Sequence, residues 1–507
     1  MRKLIKISGL VIFLSLLFLL FSWMTYLFRN NEFDKDHITG IKSEENNLDV
    51  IYIGGSAAFV YWEPLKAFRD HGFTSYDLAS NSLPVESILP YIKYAEEYHD
   101  PELFVIGIRA FQYYSDEQSE TGLRNSSDRM DLMCLPRYEL IGSYLGNRIP
   151  DEDTDAVSFY FDIAKYHTNL ANLRSDEAWG YIFNTGDSPD KGSMQSGNWA
   201  FLDKPVGFQT DERKNLLPNA EKELDKILRY CDDNDLNALF VVCPYSITKE
   251  HYAIYNTVGD KVMEHGYGYL NTNDHYEEMG IDFARDFYND SHVNVYGAEK
   301  YTAFLEEYLV ENYDLQDHRN DSAYSGWDSD AARFGEYSDQ LKRSVDKIIS
   351  DANDAVSQRE KIRNIIDFSG WSEYVKDYRY SLILTGDGRL LFTDSEKDRK
   401  IFRYLGIDTD ELFGSERYIK VIADDIHQIE VPGISDDMVS AEVGQIKLKS
   451  DVEINDKNGC CSIVIDGKEC SRKDPEGLNI VVFDNYYRTV IDTVTLKKQG
   501  GTITVVR

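Results

Sequence analysis

A serine and a histidine, far apart in the chain, have the types and settings that acyl transfer requires. Ser56 follows two glycines at the end of the uncharged run 50–53, and His292 stands just before the helical segment 298–312. A serine hydroxyl attacks a carbonyl when a histidine takes its proton, and the resulting oxyanion needs hydrogen-bond donors. Ser56 and His292 are therefore a candidate nucleophile and a candidate base, although their spacing alone does not show that they meet. For the glycine-serine stretch alone, the alternative is an ordinary turn between a strand and a helix.

The segments around Ser56 predict the scaffold that would position it. The run 50–53 is β-branched and aromatic without charge, which is typical of a buried strand. Further short apolar runs predict strands at residues 76–78, 103–108, 238–242 and 267–270. Strands that alternate with helices pair in parallel through right-handed crossovers, so we predict a flavodoxin-like, doubly wound α/β sheet. Open sheets of this kind bind ligands at the carboxyl edge, where Ser56 would lie.

Composition restricts the partners of the chain. Its 507 residues carry a net charge of -34, which repels nucleic acid and predicts no nucleic-acid partner. Three of the six cysteines cluster as Cys460, Cys461 and Cys470, and the other three are expected to be buried free thiols. A disulfide from Cys470 to either neighbour is one reading of the cluster. A metal site is disfavoured because no histidine lies nearby to complete it, and we predict no metal and no cofactor.

The N-terminus predicts a membrane anchor. Three basic residues precede an uncharged apolar run at residues 7–28, which is long enough to cross a bilayer as a helix. Basic residues lie before this run and most of the acidic residues after it, which predicts a single-pass protein of the cell membrane. Its N-terminus would be cytoplasmic and the rest of the chain outside the cell. We assign residues 1–29 to a cytoplasmic tip and anchor and residues 30–47 to a stalk. A cleaved signal peptide is the alternative, but the apolar run is too long for one.

The two ends of the sheet region resemble the SGNH (GDSL-like) hydrolase family. The resemblance is carried by Ser56 after its two glycines and by the run His292-Val293-Asn294 with Gly297, and it covers about residues 47–313. The segment is most similar to the branch that includes the teichoic acid D-alanine transfer protein and polysaccharide O-acetylation proteins. The resemblance implies that Ser56 is the nucleophile and His292 the base.

Some residues depart from the pattern that this family implies. The position three residues before the histidine is usually Asp, but here it is Asn289, with Asp290 next to it. Asn289 could hold the imidazole by hydrogen bonding without offsetting its charge, Asp290 could take the role through a shifted turn, or a backbone carbonyl could orient the ring.

The oxyanion donors depart as well. The backbone at Gly55 and Ser56 supplies the first donor. The glycine that belongs to the second sequence block of the family pattern falls near Asn81, whose side-chain amide could donate or could simply form a turn. The asparagine that belongs to the third sequence block of the family pattern is replaced here by Arg109. Arg109 could stabilise the oxyanion, bind a carboxylate or phosphate of the acceptor, or pair with an acidic residue of the insertion.

The rest of the chain divides around this region. We predict an SGNH-like domain at residues 48–315, with an insertion at 111–217 that carries its own helices and shapes the pocket. Residues 316–371 are predicted to be a linker with connecting helices. Residues 372–507 are rich in predicted strands, and the runs 463–467, 477–484 and 490–494 resemble the interleukin-like EMT inducer fold. We assign this α+β domain to recognition of sugar or protein.

Taken together, the sequence predicts a membrane-anchored extracellular O-acyltransferase or esterase. It would act on acyl groups, most simply acetyl, of a surface polysaccharide or cell-wall glycopolymer. The resemblance implies a membrane-bound O-acyltransferase as the partner that hands over the acyl group. The first alternative is a non-catalytic scaffold that binds polysaccharide or proteins and retains a degenerate site. A secreted hydrolase of lipids or small esters is a third, less favoured hypothesis.

Overall fold

The computed structural model describes residues 2–28, 35–150, 155–161, 163–168, 188–376, 379–422, 428–430, 438–445, 448–457 and 460–507. These residues group into two compact units. The first unit is formed by Met1–Gly197, Asp203–Phe287 and Ser291–Lys342, and the second by Asn198–Leu202, Tyr288–Asp290 and Arg343–Arg507.

A five-stranded parallel sheet is the centre of the first unit. Its strands are β1 (Val50–Gly54), β2 (Ser75–Ala79), β3 (Leu103–Gly107), β4 (Ala238–Val242) and β5 (Gly268–Asn271). They lie in the order β2-β1-β3-β4-β5, and every neighbouring pair is parallel. Strand β1 is therefore internal, and all five of its residues are buried, as its uncharged sequence predicts. The predicted parallel α/β sheet is confirmed, and its strand order is the flavodoxin-like one.

Helices connect and cover these strands. The first unit contains the helices α1 (Arg2–Phe28), α2 (Lys35–Thr39), α3 (Ser56–Tyr61), α4 (Pro64–His71), α5 (Ile88–Glu96), α6 (Glu120–Ser127), α7 (Leu135–Asn147), α8 (Ala156–Tyr160), α9 (Ile163–Tyr166), α10 (Pro218–Asp233), α11 (Lys249–Glu264), α12 (Tyr276–Met279) and α13 (Val295–Asn312). Helices α6 to α9 belong to the long segment between β3 and β4. A two-stranded sheet of β6 (Phe287–Asn289) and β7 (His292–Val293) directly precedes α13.

The predicted transmembrane anchor is wrong, and the fold class is therefore mixed α/β without that element. Residues 7–28 do fall in helix α1, where the ring of Phe21 packs edge-on against Phe161 at 6.0 Å between centroids. Among the residues that the structure describes, however, no helix is long and apolar enough to span a membrane. The prediction rested on the length and apolar character of the run 7–28 in the sequence, and the helices of the described residues do not bear it out. The single-pass localisation, with a cytoplasmic N-terminus and the bulk outside, is corrected with it.

The second unit is built on antiparallel sheets. After α14 (Ser325–Arg363) and α15 (Phe368–Val375), it contains helices α16 (Glu396–Tyr404) and α17 (Thr409–Gly414). Its strands are β8 (Tyr380–Gly386), β9 (Tyr418–Ile422), β10 (Gln428–Glu430), β11 (Met438–Gln445), β12 (Leu448–Lys457), β13 (Cys460–Ile465), β14 (Lys468–Glu469), β15 (Leu478–Asp484), β16 (Thr489–Gln499) and β17 (Thr502–Val506). One sheet has the order β10-β9-β8-β15-β16-β17, and the other has the order β11-β12-β13-β14.

Alternation along β8 separates two hydrophobic cores in this unit. Leu382 and Leu384 join a core that includes Trp371 of α15, while Ile383 between them joins a core that includes Val452 of β12. Successive strand residues point to opposite faces, so one face of the larger sheet packs on helices and the other on the smaller sheet.

Candidate active site

Close packing of glycine at the end of β1 places Ser56 at the carboxyl edge of the sheet. A Cβ atom on Gly54 would lie 2.8 Å from the Cβ of Ala58, and 3.8 Å from the Cα of Gly107 on the neighbouring strand. Only glycine fits this approach of backbone to helix. Gly55 caps α3 with an extended backbone, and Ser56 is the first residue of that helix. The Ser56 side chain is thereby fixed where strand becomes helix.

Strand β7 and the cap of α13 position His292. Asn294 caps α13 by accepting from the Tyr296 backbone N–H, and its amide donates to the Arg285 carbonyl at 2.8 Å. Asn294 is fully buried, so this part of the predicted His-Val-Asn motif fixes the backbone two residues after the histidine.

Ser56 and His292 meet. The Ser56 Oγ lies 2.7 Å from the His292 Nε2, although 236 positions separate the two residues in the chain. With the Nε2 unprotonated, the hydroxyl donates to it, which is the geometry that general-base activation of a serine requires. Both side chains line one cavity. The arrangement can therefore deprotonate the serine as it attacks a carbonyl carbon.

The carbonyl of Ser291 is held by two donors beside this histidine. The Arg109 Nη1 donates to it at 2.7 Å. The Tyr61 hydroxyl lies 2.9 Å from it and shares its one proton between this carbonyl and that of Pro244, at 2.6 Å. Tyr61 is fully buried and lies at the end of α3, the helix that begins at Ser56. These contacts tie the peptide before His292 to the helix of the nucleophile and to the turn after β3.

The predicted supporting residues of the histidine are not among the described residues that line the cavity. Asn289 ends β6 and Asp290 follows it in the turn, and both belong to the second unit. Asp286, the next carboxylate upstream, accepts from the Lys300 Nζ at 2.6 Å and from the Asp282 backbone N–H at 2.7 Å. Its burial raises its pKa. Asp286 is therefore committed to a lysine within the scaffold.

The segment after β2 contains a residue that the sequence analysis missed. Asn81 is half-buried, and its carbonyl accepts from the Asn125 amide of α6 at 3.1 Å. The next residue, Ser82, lines the cavity and has a φ of 54°, in the left-handed region that favours glycine. The glycine-like conformation expected near Asn81 is thus adopted by Ser82. The sequence signal was weak, since a serine rarely adopts this conformation.

The cavity beside the dyad has a volume of about 430 Å³. Its lining residues are Gly55, Ser56, Ala57, Ser82, Leu83, Pro84, Arg109, Ala110, Tyr113, Tyr114, Ser119, Gly122, Tyr144, Arg148, Ser291 and His292. The segment between β3 and β4 supplies much of one wall, including three tyrosines. This volume is within the range of small-molecule sites in proteins.

A second arginine of the cavity wall is neutralised. The Arg148 guanidinium donates to both carboxylate oxygens of Glu86, at 2.9 and 2.8 Å, and Glu86 is almost fully buried. The Arg148 guanidinium also lies over the rings of Tyr114 and Tyr144, with its Cζ 4.5 and 4.4 Å from the ring centroids. A bidentate pair of this kind fixes geometry and leaves little net charge. Arg148 therefore shapes the wall without presenting a free cation.

Within the described part of the chain, no group of three or more His, Cys, Asp or Glu side chains could hold a metal ion. Cys134, Cys231 and Cys243 are buried free thiols, and burial raises the pKa of each. Cys470 is also a free thiol, while the side chains of Cys460 and Cys461 lie outside the described residues.

Comparisons of the chain with protein-family models and with curated proteins found no match. The resemblances to the SGNH family and to the interleukin-like EMT inducer fold therefore stay predictions. The site is argued below from its own geometry.

Proposed function

We propose that this chain is a serine-dependent acyl hydrolase or acyltransferase of SGNH type, with Ser56 as nucleophile and His292 as general base. The observation that carries the proposal is the 2.7 Å contact between the Ser56 Oγ and the His292 Nε2 at the wall of a cavity. Its place at the carboxyl edge of a parallel sheet supports the proposal, because ligands bind there in open α/β folds.

In the proposed reaction, the Ser56 hydroxyl proton passes to the His292 Nε2 as the Oγ attacks the ester carbonyl carbon. The backbone N–H of Ser56, at the start of α3, donates to the oxyanion of the tetrahedral intermediate. Collapse of the intermediate breaks the ester bond, and the leaving alkoxide takes the proton from His292. Water or a sugar hydroxyl then gives its proton to His292 and attacks the acyl-enzyme, which releases the free acid or the new ester and restores Ser56.

The proposed substrate is an O-acyl, most simply O-acetyl, ester of a polysaccharide. Tyr113, an exposed tyrosine of the cavity wall, offers a planar apolar face with a polar edge, which suits a sugar ring. Both the polysaccharide and a membrane-bound O-acyltransferase that would supply the acyl group stay predictions from the resemblance.

Ester turnover by the full-length chain tests the proposal. We expect hydrolysis of p-nitrophenyl acetate and of an O-acetylated polysaccharide, and a loss of about 10³-fold or more in kcat for Ser56→Ala. The matched control is Ser329→Ala, which truncates an exposed serine of α14 and should leave turnover unchanged. Turnover that survives in Ser56→Ala would rule out Ser56 as the nucleophile.

A second candidate function is a non-catalytic scaffold that binds polysaccharide or a partner protein. It is favoured by Asn289, which cannot offset the charge of a protonated His292 as a carboxylate would. A scaffold would bind O-acetylated polysaccharide with equal affinity in the wild type and in Ser56→Ala, with no acetate released by either. Release of acetate by the wild type alone would exclude this candidate.

A further inference from the structure

The guanidinium of Arg109 is buried beside the dyad without a carboxylate partner. Arg109 is only 9% exposed, and it forms no ion pair with any carboxylate among the residues that the structure describes. Arginine is rarely buried unless it is paired, because removing its charge from water is costly. The other arginine of the cavity, Arg148, follows that rule through Glu86. Arg109 is therefore the exception to explain.

The groups around Arg109 are neutral and leave part of its donor capacity unused. Its Nη1 donates to the Ser291 carbonyl at 2.7 Å, and its Nη2 makes a long contact of 3.4 Å to the Tyr113 hydroxyl. The Nε is buried and has no hydrogen-bond partner among the residues that the structure describes. The plane lies 4.1 Å from the ring centre of Tyr245, which supports the cation but does not neutralise it. A guanidinium has five N–H donors, so the site is incomplete without an acceptor.

The position of Arg109 identifies where that acceptor would come from. Arg109, Ser56 and His292 line the same cavity, and Arg109 shares the Ser291 peptide with the histidine. A ligand held at the guanidinium would therefore lie next to the reacting ester. Carboxylates and phosphates are the groups whose geometry a guanidinium fork matches.

We propose that Arg109 binds an anionic oxygen group of the substrate, a carboxylate or a phosphate, and so makes the site selective for acyl esters that carry a negative charge near the scissile bond. This inference rests on the proposed function, since it concerns the substrate of the same site. The net charge of -34 restricts it to a localised charge, because a polyanion would be repelled by the molecule as a whole.

Substrate selectivity of the full-length chain tests the inference. Acetylated glucuronic acid is compared with its neutral methyl ester, and acetylated glucose 6-phosphate with acetylated glucose, so that the two pairs distinguish a carboxylate from a phosphate. We expect kcat/KM to be on the order of 10- to 100-fold higher for the charged member of at least one pair, the value of a hydrogen bond to a charged group. A wild-type ratio near one in both pairs overturns the inference.

Variants of Arg109 assign the selectivity. Arg109→Gln should bring the preferred charged-to-neutral ratio of kcat/KM to about one, whatever the loss of the Ser291 contact does to both esters alike, and Arg109→Lys should keep part of the ratio because it keeps the charge. If Arg109→Gln instead lowers kcat for charged and neutral esters equally, Arg109 stabilises the oxyanion or positions His292, and the inference fails. The matched control is Arg213→Gln, which removes an exposed arginine paired with Asp260 and should leave the ratio unchanged.

A binding measurement separates this inference from the proposed function. Glucuronate and inorganic phosphate are titrated calorimetrically into the full-length Ser56→Ala variant and into Ser56→Ala/Arg109→Gln. Binding that is lost only in the double variant supports the anion site even if no ester is turned over. Absence of binding to Ser56→Ala, with both variants folded by circular dichroism, overturns the anion site regardless of activity.

Discussion

At the scale of single residues, the chemistry depends on a contact that no local pattern specifies. The strand, the two glycines and the serine were readable around Ser56. The helix after His292 was also readable, but it begins at Val295 rather than at the predicted Ala298. That the two side chains meet followed only from the resemblance, and the structure places them 2.7 Å apart. Ser82 was not foreseen because its left-handed backbone is set by the surrounding turn rather than by its own residue type.

The support of the imidazole gives a prediction at this scale. Asn289→Asp places a carboxylate three residues before the histidine, where the SGNH proteins that the segment resembles usually have one. In the proposed mechanism a carboxylate would stabilise the imidazolium that forms as Ser56 attacks. We expect kcat for p-nitrophenyl acetate to rise by at least about tenfold, with KM little changed. Steady-state kinetics at fixed pH measure this, and an unchanged or lower kcat would exclude Asn289 as the position that limits the dyad.

At the scale of elements, the site depends on how closely the inserted helices approach the sheet edge. Strands β1, β3 and β4 were predictable from their short apolar runs, whereas β2 includes the buried Asp77 and has a weaker pattern. The wall formed by α6 and α7 was not predictable in detail, because the pairing of Arg148 with Glu86 joins residues 62 positions apart. The anchor was predicted from the apolar run 7–28 alone, and no helix of the described residues bears it out.

Helix α6 provides the second prediction. A Cβ on Gly122 would lie 2.7 Å from the Ser82 carbonyl oxygen, so Gly122→Ala must displace α6 or the loop at the cavity. We expect a loss of about 1–3 kcal/mol in the free energy of unfolding and a fall in ester turnover. Gly146→Ala on α7 is the matched control, because a Cβ there meets nothing within 4 Å. It should be neutral or slightly stabilising.

Equal effects of the two glycine substitutions on stability and turnover would contradict the proposed packing of α6 against the cavity loop. Chemical denaturation and p-nitrophenyl acetate hydrolysis measure both quantities on the same preparations.

Glu63, the residue before α4, gives a pH-dependent prediction. Burial raises its pKa to about 7, and it accepts from the Gln195 amide at 2.6 Å. Between its ordinary pKa of about 4.5 and pH 7, the folded chain holds a proton that the unfolded chain releases, so this group makes stability fall as pH rises. Glu63→Gln removes the titration. Relative to wild type, the variant should gain about 3 kcal/mol in the free energy of unfolding between pH 4.5 and pH 8.

Urea denaturation of wild type and Glu63→Gln at the two pH values measures this gain. If the two proteins differ in free energy of unfolding by the same amount at pH 4.5 and at pH 8, Glu63 ionises normally in the folded chain.

At the scale of the whole molecule, the candidate site and the two antiparallel sheets of β8 to β17 lie in different units. Every residue that lines the cavity belongs to the first unit. The second unit has its own hydrophobic cores, in which Trp371 is fully buried and its indole N–H donates to Asp492 at 3.2 Å. At this scale the acidic composition disfavours polyanionic partners, and this stays a prediction.

Trp371 provides the prediction at this scale. Trp371→Ala should lower the free energy of unfolding of the second unit by about 3–5 kcal/mol, because it removes a large buried side chain and leaves Asp492 without that donor. Calorimetry should show a transition moved to lower temperature, while ester turnover at 20 °C stays close to that of the wild type. Loss of turnover in parallel with that transition would contradict the confinement of the chemistry to the first unit.

Covalent labelling tests the central claim most directly. The full-length chain is treated with a fluorophosphonate, and the modified residue is located by mass spectrometry of the intact protein and of its peptides. The account predicts one phosphonyl group per chain, on Ser56, with labelling abolished in Ser56→Ala and strongly slowed in His292→Gln. Labelling at another serine, or labelling of Ser56→Ala at the wild-type rate, would contradict it.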